Sequence, residues 1–121
     1  MQPTNVKFLR DLAKCYTTMN KYEDACNNLL VALEQNEFDP KVIYELGLNY
    51  FADKKYKKTT AFLKKALQYN PDPTYICNIY YHLGLAYCRL EKFEKAIFPF
   101  STCIDRDPSN ILYIHERAKA Y

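Results

Sequence analysis

Apolar residues recur three and four positions apart along most of the chain. Leu9, Leu12, Ala13 and Tyr16 form one such set, and Ala25, Leu29, Ala32 and Leu33 form the next. That spacing paints one face of an α-helix. Short polar stretches, "TMNK", "ADKK" and "LEKF", interrupt the pattern. Between them fall breaks that carry an Asp-Pro pair: Asp39-Pro40, Asp72-Pro73 and Asp107-Pro108. Aspartate as an N-cap, followed by proline in the first turn, marks a helix start. The pattern predicts a chain of helices arranged as successive pairs.

The pairs repeat. The first set aligns with Ile43, Leu46, Gly47 and Tyr50, then with Tyr80, Leu83, Gly84 and Tyr87, and last with Ile114, Arg117, Ala118 and Tyr121. Each second half opens on an aromatic (Tyr22, Tyr56, Phe93), followed by a small residue (Ala25, Thr59, Ala96) and later by another (Ala32, Ala66, Cys103). The frame places units at 6–39, 40–73 and 77–110, with a partial unit at 111–121, all in one domain over 1–121. Thr74, Tyr75 and Ile76 are extra residues between the second and third units. The chain's two glycines, Gly47 and Gly84, occupy the same slot in "YELGLNY" and "YHLGLAY". Glycine inside a helix costs about 1 kcal/mol against alanine. The slot therefore predicts a close approach between paired helices, and Ala13 and Ala118 fill it elsewhere.

A 34-residue period, two helices per unit, an aromatic–Leu–Gly–Tyr face, then small residues and a closing proline at Pro71 and Pro108 resemble the tetratricopeptide repeat. The resemblance covers residues 6–121 and implies an all-α fold. That fold is an α-solenoid, a superhelix of antiparallel helix pairs, with three full tetratricopeptide repeats plus the first helix of a fourth. Stacked neighbours bury the apolar stripe that one pair cannot bury alone. The last helix is expected to pack Ile111, Ile114, Ala118 and Tyr121 onto the third unit, leaving Leu112, Tyr113 and Ala120 outside. Pro99, inside the third unit's second helix, predicts a kink near residues 95–99 or a displaced helix start.

Composition agrees with a water-soluble helical domain: 49% of residues are hydrophobic and 26% charged, with both signs mixed. The net charge of +3 is too mild to predict nucleic acid. No apolar run reaches the length of a membrane span, and the N-terminus lacks the pattern of a secretory signal. Five cysteines without a C-x-x-C pair argue against a disulfide framework, so a reducing, cytoplasmic setting is expected. His82 and His115 lack the spacing to form a metal or nucleophile–base site with Cys88. No enzyme, cofactor or small-molecule substrate is expected.

In the family that the chain resembles, the first helix of each pair lines a concave surface that holds a peptide or helix of a protein partner. Carried over by register, the lining residues are Lys7, Arg10, Lys14 and Thr17 in the first unit. The second supplies Lys41, Tyr44, Glu45, Leu48 and Phe51, and the third Asn78, Tyr81, His82, Leu85, Cys88 and Arg89. Leu112, His115, Glu116 and Lys119 complete the surface. It grades from basic to aromatic and aliphatic, which suits a partner with an apolar anchor and an acidic flank.

The family's clamp for the terminal carboxylate of heat-shock chaperone tails would fall on Arg10, Lys14, Glu45, Asn78 and His82, or one unit later on Tyr44, Asn49, His82, Leu112 and Glu116. Either register sets an acidic side chain, Glu45 or Glu116, against the bound carboxylate, which disfavours that role. Lys54, Lys55, Lys57, Lys58, Lys64 and Lys65 lie away from the groove, where lysines mainly solvate a helix surface; contact with an anionic partner is the lesser reading. The alternative to groove binding is a structural subunit that assembles, or self-associates, through its C-terminal end.

Overall fold

The computed structural model describes residues 5–69 and 71–121. The described residues form seven helices: α1 (Val6–Thr18), α2 (Tyr22–Gln35), α3 (Pro40–Ala52), α4 (Tyr56–Gln68), α5 (Pro73–Arg89), α6 (Phe93–Arg106) and α7 (Ile111–Ala120). They pair as α1 with α2, α3 with α4 and α5 with α6, and each pair stacks on the first helix of the next. The result is an all-α solenoid.

Helix starts are built as the sequence implies at two of the three Asp-Pro breaks. Asp39 accepts a hydrogen bond from the Lys41 amide at 3.0 Å, with Pro40 in the first turn. Asp72 accepts from the Thr74 amide at 2.9 Å and starts α5 at Pro73. Those two amides are donors the helix cannot satisfy from within. Asp107-Pro108 behaves differently. Asp107 terminates α6, and Asn110 caps α7 by accepting from the Leu112 amide. Because α5 begins at Pro73, the extra residues Thr74, Tyr75 and Ile76 lengthen it by a turn, to 17 residues against 13 in α1 and α3.

The turns inside the pairs are one structure used three times. Asn20, Lys54 and Glu91 have φ of 61°, 62° and 60°, in the left-handed region. The next amide reaches back to the repeat's tyrosine: Lys21 to Tyr16, Lys55 to Tyr50 and Lys92 to Tyr87, each at 2.8 Å. The preceding amide bonds Thr17, Phe51 and Cys88 in the same way. This double closure is the Schellman helix stop. Asn tolerates the left-handed conformation, whereas Lys54 and Glu91 each carry a steric cost of about 1 kcal/mol there.

Each core lies among three consecutive helices. Leu9, Ala13, Leu29, Ala32, Val42 and Leu46 close the first, and Ile43, Leu63, Ala66, Ile79 and Leu83 the second. Helix α3 serves both, one face each, which explains why it is buried on two sides. Ala96, Phe100 and Ala120 anchor the third, packed by Tyr81, Leu85 and Tyr87.

The glycine slot is a close contact. A Cβ on Gly47 would lie 2.5 Å from Leu63 Cδ2 and 2.8 Å from its Cγ. At Gly84 it would lie 2.6 Å from Phe100 Cζ and 2.8 Å from Cδ1. Leu63 and Phe100 are fully buried, so neither has free space to retreat into.

Helix α6 starts at Phe93 and continues through the buried Pro99 to Arg106, so of the two outcomes expected from Pro99, a kink or a displaced start, the start is not displaced. One expectation changes. Helix α7 turns the opposite face inward. Ala120 is buried and Tyr113 and Arg117 are half-buried, while Ile111, Ile114 and Tyr121 are 79%, 41% and 81% exposed. The reason is register. Tyr113 and Ala120 occupy the positions of Val42 and Asn49, which face the preceding pair. Ile111, Ile114, Ala118 and Tyr121 sit on the face that a second helix covers in the other units.

Replacing Gly84 by alanine gains about 1 kcal/mol of helix propensity. It also forces a methyl against Phe100, for which overpacking costs about 1–3 kcal/mol. Net destabilisation is expected, read as a lower urea midpoint; an unchanged or higher midpoint would show that the slot has room.

Candidate functional site

The first helices line a concave face with three depressions. The largest, of about 540 Å³, is walled by Arg10, Lys14, Thr17, Tyr44, Glu45, Leu48, Asn49 and Tyr75. A second, of about 390 Å³, is walled by Phe51, Tyr81, Leu85, Cys88, Arg89, Phe93, Glu116 and Lys119. A third, of about 350 Å³, adjoins the first through Tyr44 and Tyr75 and includes Lys41, Asp39 and Asp72. Thirteen of the expected lining residues thus wall the two larger depressions: Arg10, Lys14, Thr17, Tyr44, Glu45 and Leu48 in the first, and Phe51, Tyr81, Leu85, Cys88, Arg89, Glu116 and Lys119 in the second. Lys41 walls the third. Lys7 and His115 are exposed and line none of these three.

Several of these side chains are occupied with one another. Arg10 donates to Glu45 Oε1 through Nε at 2.8 Å and also through Nη2. That bond, in a half-buried setting, holds the guanidinium above its ordinary pKa. Arg10 is therefore a neutralised cation and not the free basic group expected from the sequence. Thr17 bonds Asn49 Oδ1 at 2.6 Å, and Asn49 Nδ2 donates to the Glu45 carbonyl at 2.9 Å. These contacts stitch α1 to α3.

Across the next gap, Asn78 Nδ2 donates to the Tyr44 hydroxyl. Tyr44 itself is 8% exposed, because Tyr75 stacks over it with ring centroids 4.9 Å apart. Burial raises the Tyr44 phenol's pKa. The aromatic surface expected from Tyr44 is presented by Tyr75. His82 donates from Nδ1 to the Asn78 carbonyl at 2.9 Å and meets Phe51 edge-on at 5.1 Å. Its burial lowers the imidazole pKa below 6.5, so the ring is neutral at pH 7.

The groove thus has a neutral centre of rings and amides. Lys14 at one end and Arg89 at the other are free cations, and so is Lys41 in the third depression; none of them forms an ion pair among the described residues. Lys119 is paired with Glu116 at 3.5 Å.

Tyr75 is the residue that the repeat frame misses, because it lies in the extra turn. Its spacing to Asn78 and His82, three and seven residues on, puts all three on one helical face. Had α5 been started at Pro73, that spacing would have revealed it.

Burial raises the Cys88 thiol, the reverse of what a nucleophile needs. Cys26 and Cys103 are pushed up to about 11 and about 12 by burial, and behave as packing residues. Among the described residues no group of His, Cys, Asp and Glu could hold a metal ion. No described helix is long and apolar enough to cross a membrane.

Stacked helix pairs with a shared concave face define a helical-repeat protein. The tetratricopeptide repeat model matches residues 40–73 and 78–110, more than half of the chain, and the chain belongs to that family. It is 36% identical over 67 residues to a UDP-N-acetylglucosamine–peptide N-acetylglucosaminyltransferase of Giardia intestinalis, covering 55% of this chain and 4% of that protein. It is 28% identical over 99 residues to anaphase-promoting complex subunit CDC16 of Saccharomyces cerevisiae, covering 78% of this chain and 12% of that protein. The chain thus spans only a small part of either relative. Among solved structures, MamA superposes with a TM-score of 0.88 at 27% identity, covering 99% of this chain and 68% of that one. The first TPR of Spaghetti (RPAP3), bound to an HSP90 peptide, gives 0.85 at 19%, covering 99% and 93%.

His82 makes the fold pH-sensitive. The unfolded chain binds a proton near pH 6.5, while the buried ring resists it, so stability is full above that value and falls as the pH drops through it. Urea unfolding between about pH 7.5 and pH 5 should show a smaller loss in His82→Gln than in the unchanged chain. Equal losses in both would rule out His82 as a source of the pH dependence.

Proposed function

We propose that this chain acts by binding, holding a segment of another protein along the concave face. The observation that carries this is the 540 Å³ depression, where half-buried Leu48 and Tyr75 stand beside the free Lys14. An apolar side chain of the partner fills the depression, and acidic side chains flank it near Lys14 and Lys7. Apolar burial supplies most of the affinity, and the cations steer and orient. The likeness to a tetratricopeptide domain that holds a chaperone peptide supports the peptide-binding use of the fold.

A carboxylate-clamping mode fits poorly. Arg10, at the clamp position, is already paired with Glu45, whose own charge repels an incoming carboxylate. The preferred ligand is an internal segment with one apolar anchor.

The test is affinity capture with Leu48→Glu plus Tyr75→Ala, checked for unchanged helicity. Partners captured by the unchanged chain should be lost or weakened by tenfold or more, about 1.4 kcal/mol. Lys57→Glu plus Lys64→Glu, on α4, should leave capture intact. The opposite pattern would move the binding surface to the lysine face.

A further inference from the structure

Helices α2, α4 and α6 form the outer surface, behind the first helices that line the groove. The repeat sets the exposed positions of α2 and α4 at the same heights along the two helices. Glu23 matches Lys57, Asp24 matches Lys58, Leu30 matches Lys64 and Val31 matches Lys65. Helix α2 holds Glu23, Asp24 and Glu34 and no basic residue, whereas α4 holds Lys57, Lys58, Lys64 and Lys65 and no acidic one. All of these charges are exposed, and none forms an ion pair among the described residues. In α6 the two signs cancel, Glu94 and Asp105 against Lys95 and Arg106. An acidic strip and a basic strip thus lie side by side on one face.

We propose that a second copy of this chain docks on this face, with α2 of each copy against α4 of the other. A two-fold interface must be self-complementary, since the same patch serves both partners. An axis parallel to the helices, running between α2 and α4, carries α2 of one copy onto α4 of the other and leaves every height unchanged. Glu23 and Asp24 then meet Lys57 and Lys58, and the contact occurs twice. Leu30 and Val31, 37% and 40% exposed, fall on Lys64 and Lys65. Lysine stems cover apolar surface while their ammonium groups stay in water. Asn27 falls on the small Ala61, where the two helices can approach. Lys21 falls opposite Lys55, whose ammonium is already paired with Asp53 at 3.4 Å.

The other occupant that four lysines on one helix could attract is a polyanion, either nucleic acid or an anionic membrane. It suits α4 but not the neighbouring helix. Cys26 of α2 feels the charges of both Glu23 and Lys58, so the acidic strip stands close to the basic one. A polyanion lying on the lysines would be repelled by Glu23, Asp24 and Glu34, whereas a second copy satisfies both strips at once. This face lies behind the concave groove and stands independently of it.

Sedimentation equilibrium of the chain over a concentration series is the test. A monomer–dimer equilibrium is expected in about 0.1 M salt. It should weaken tenfold or more in about 1 M salt, where the Debye length falls from about 10 Å to about 3 Å. Lys57→Glu plus Lys58→Glu should abolish the dimer, and so should Glu23→Lys plus Asp24→Lys, all at exposed positions. Mixing the two variants should restore it as a heterodimer, because each reversed pair then meets its opposite. Leu48→Glu plus Tyr75→Ala, in the groove, should leave dimerisation unchanged. A chain that stays monomeric at every concentration overturns the proposal. So does a dimer indifferent to salt, a dimer that survives either reversal, or a mixture that stays monomeric. A monomer that binds phosphatidylserine vesicles or a DNA duplex through its lysines would assign α4 to a polyanion and overturn the proposal as well.

Discussion

The close approach of paired helices at the small-residue slot is the constraint from which the rest of the structure follows. A first helix lies directly against Leu63 or Phe100 of its companion because Gly47 and Gly84 remove the one atom that would hold them apart. That contact sets the separation of the two helices within a pair, and each pair then stacks on the first helix of the next. The cost is helix propensity at two positions. It is offset by fully buried contacts on both sides of α3 and along α5.

On the wall so formed, polar side chains mainly serve the scaffold. Arg10–Glu45 and Thr17–Asn49 tie α1 to α3, and Tyr44–Asn78 and Phe51–His82 tie α3 to α5. Side chains bonded in this way are poorly placed to greet a ligand. Those left over, chiefly Lys14, Leu48, Tyr75, Tyr81, Leu85 and Arg89, give the groove its chemistry. The division explains why the end of the face that reads as basic loses one of its cations, since Arg10 is paired with Glu45.

Repeat, pairing and slot were legible in the sequence because they rest on local spacing, which one helix or turn expresses by itself. What was not legible depends on which neighbour exists. The apolar residues of α7 were expected inward, yet Ile111 and Ile114 face the side where their companion would lie, and the inward face is set by the preceding pair. Tyr44 was expected to line the groove openly, and does not, because Tyr75 from the inserted turn covers it. Asp107-Pro108 looked like its two counterparts, but Asn110, three residues on, caps α7. Pairwise electrostatics were equally out of reach, since Arg10 and Glu45 are 35 residues apart in the chain.

The central claim is that partners are held on the concave wall of first helices. Amide chemical-shift mapping during titration with a captured partner segment tests it most directly. The account predicts shifts clustered on Lys14, Leu48, Tyr75, Tyr81 and Leu85, tracing a continuous path across α1, α3 and α5. Shifts confined to the lysine-bearing surface of α4, with the first helices unchanged, would contradict it.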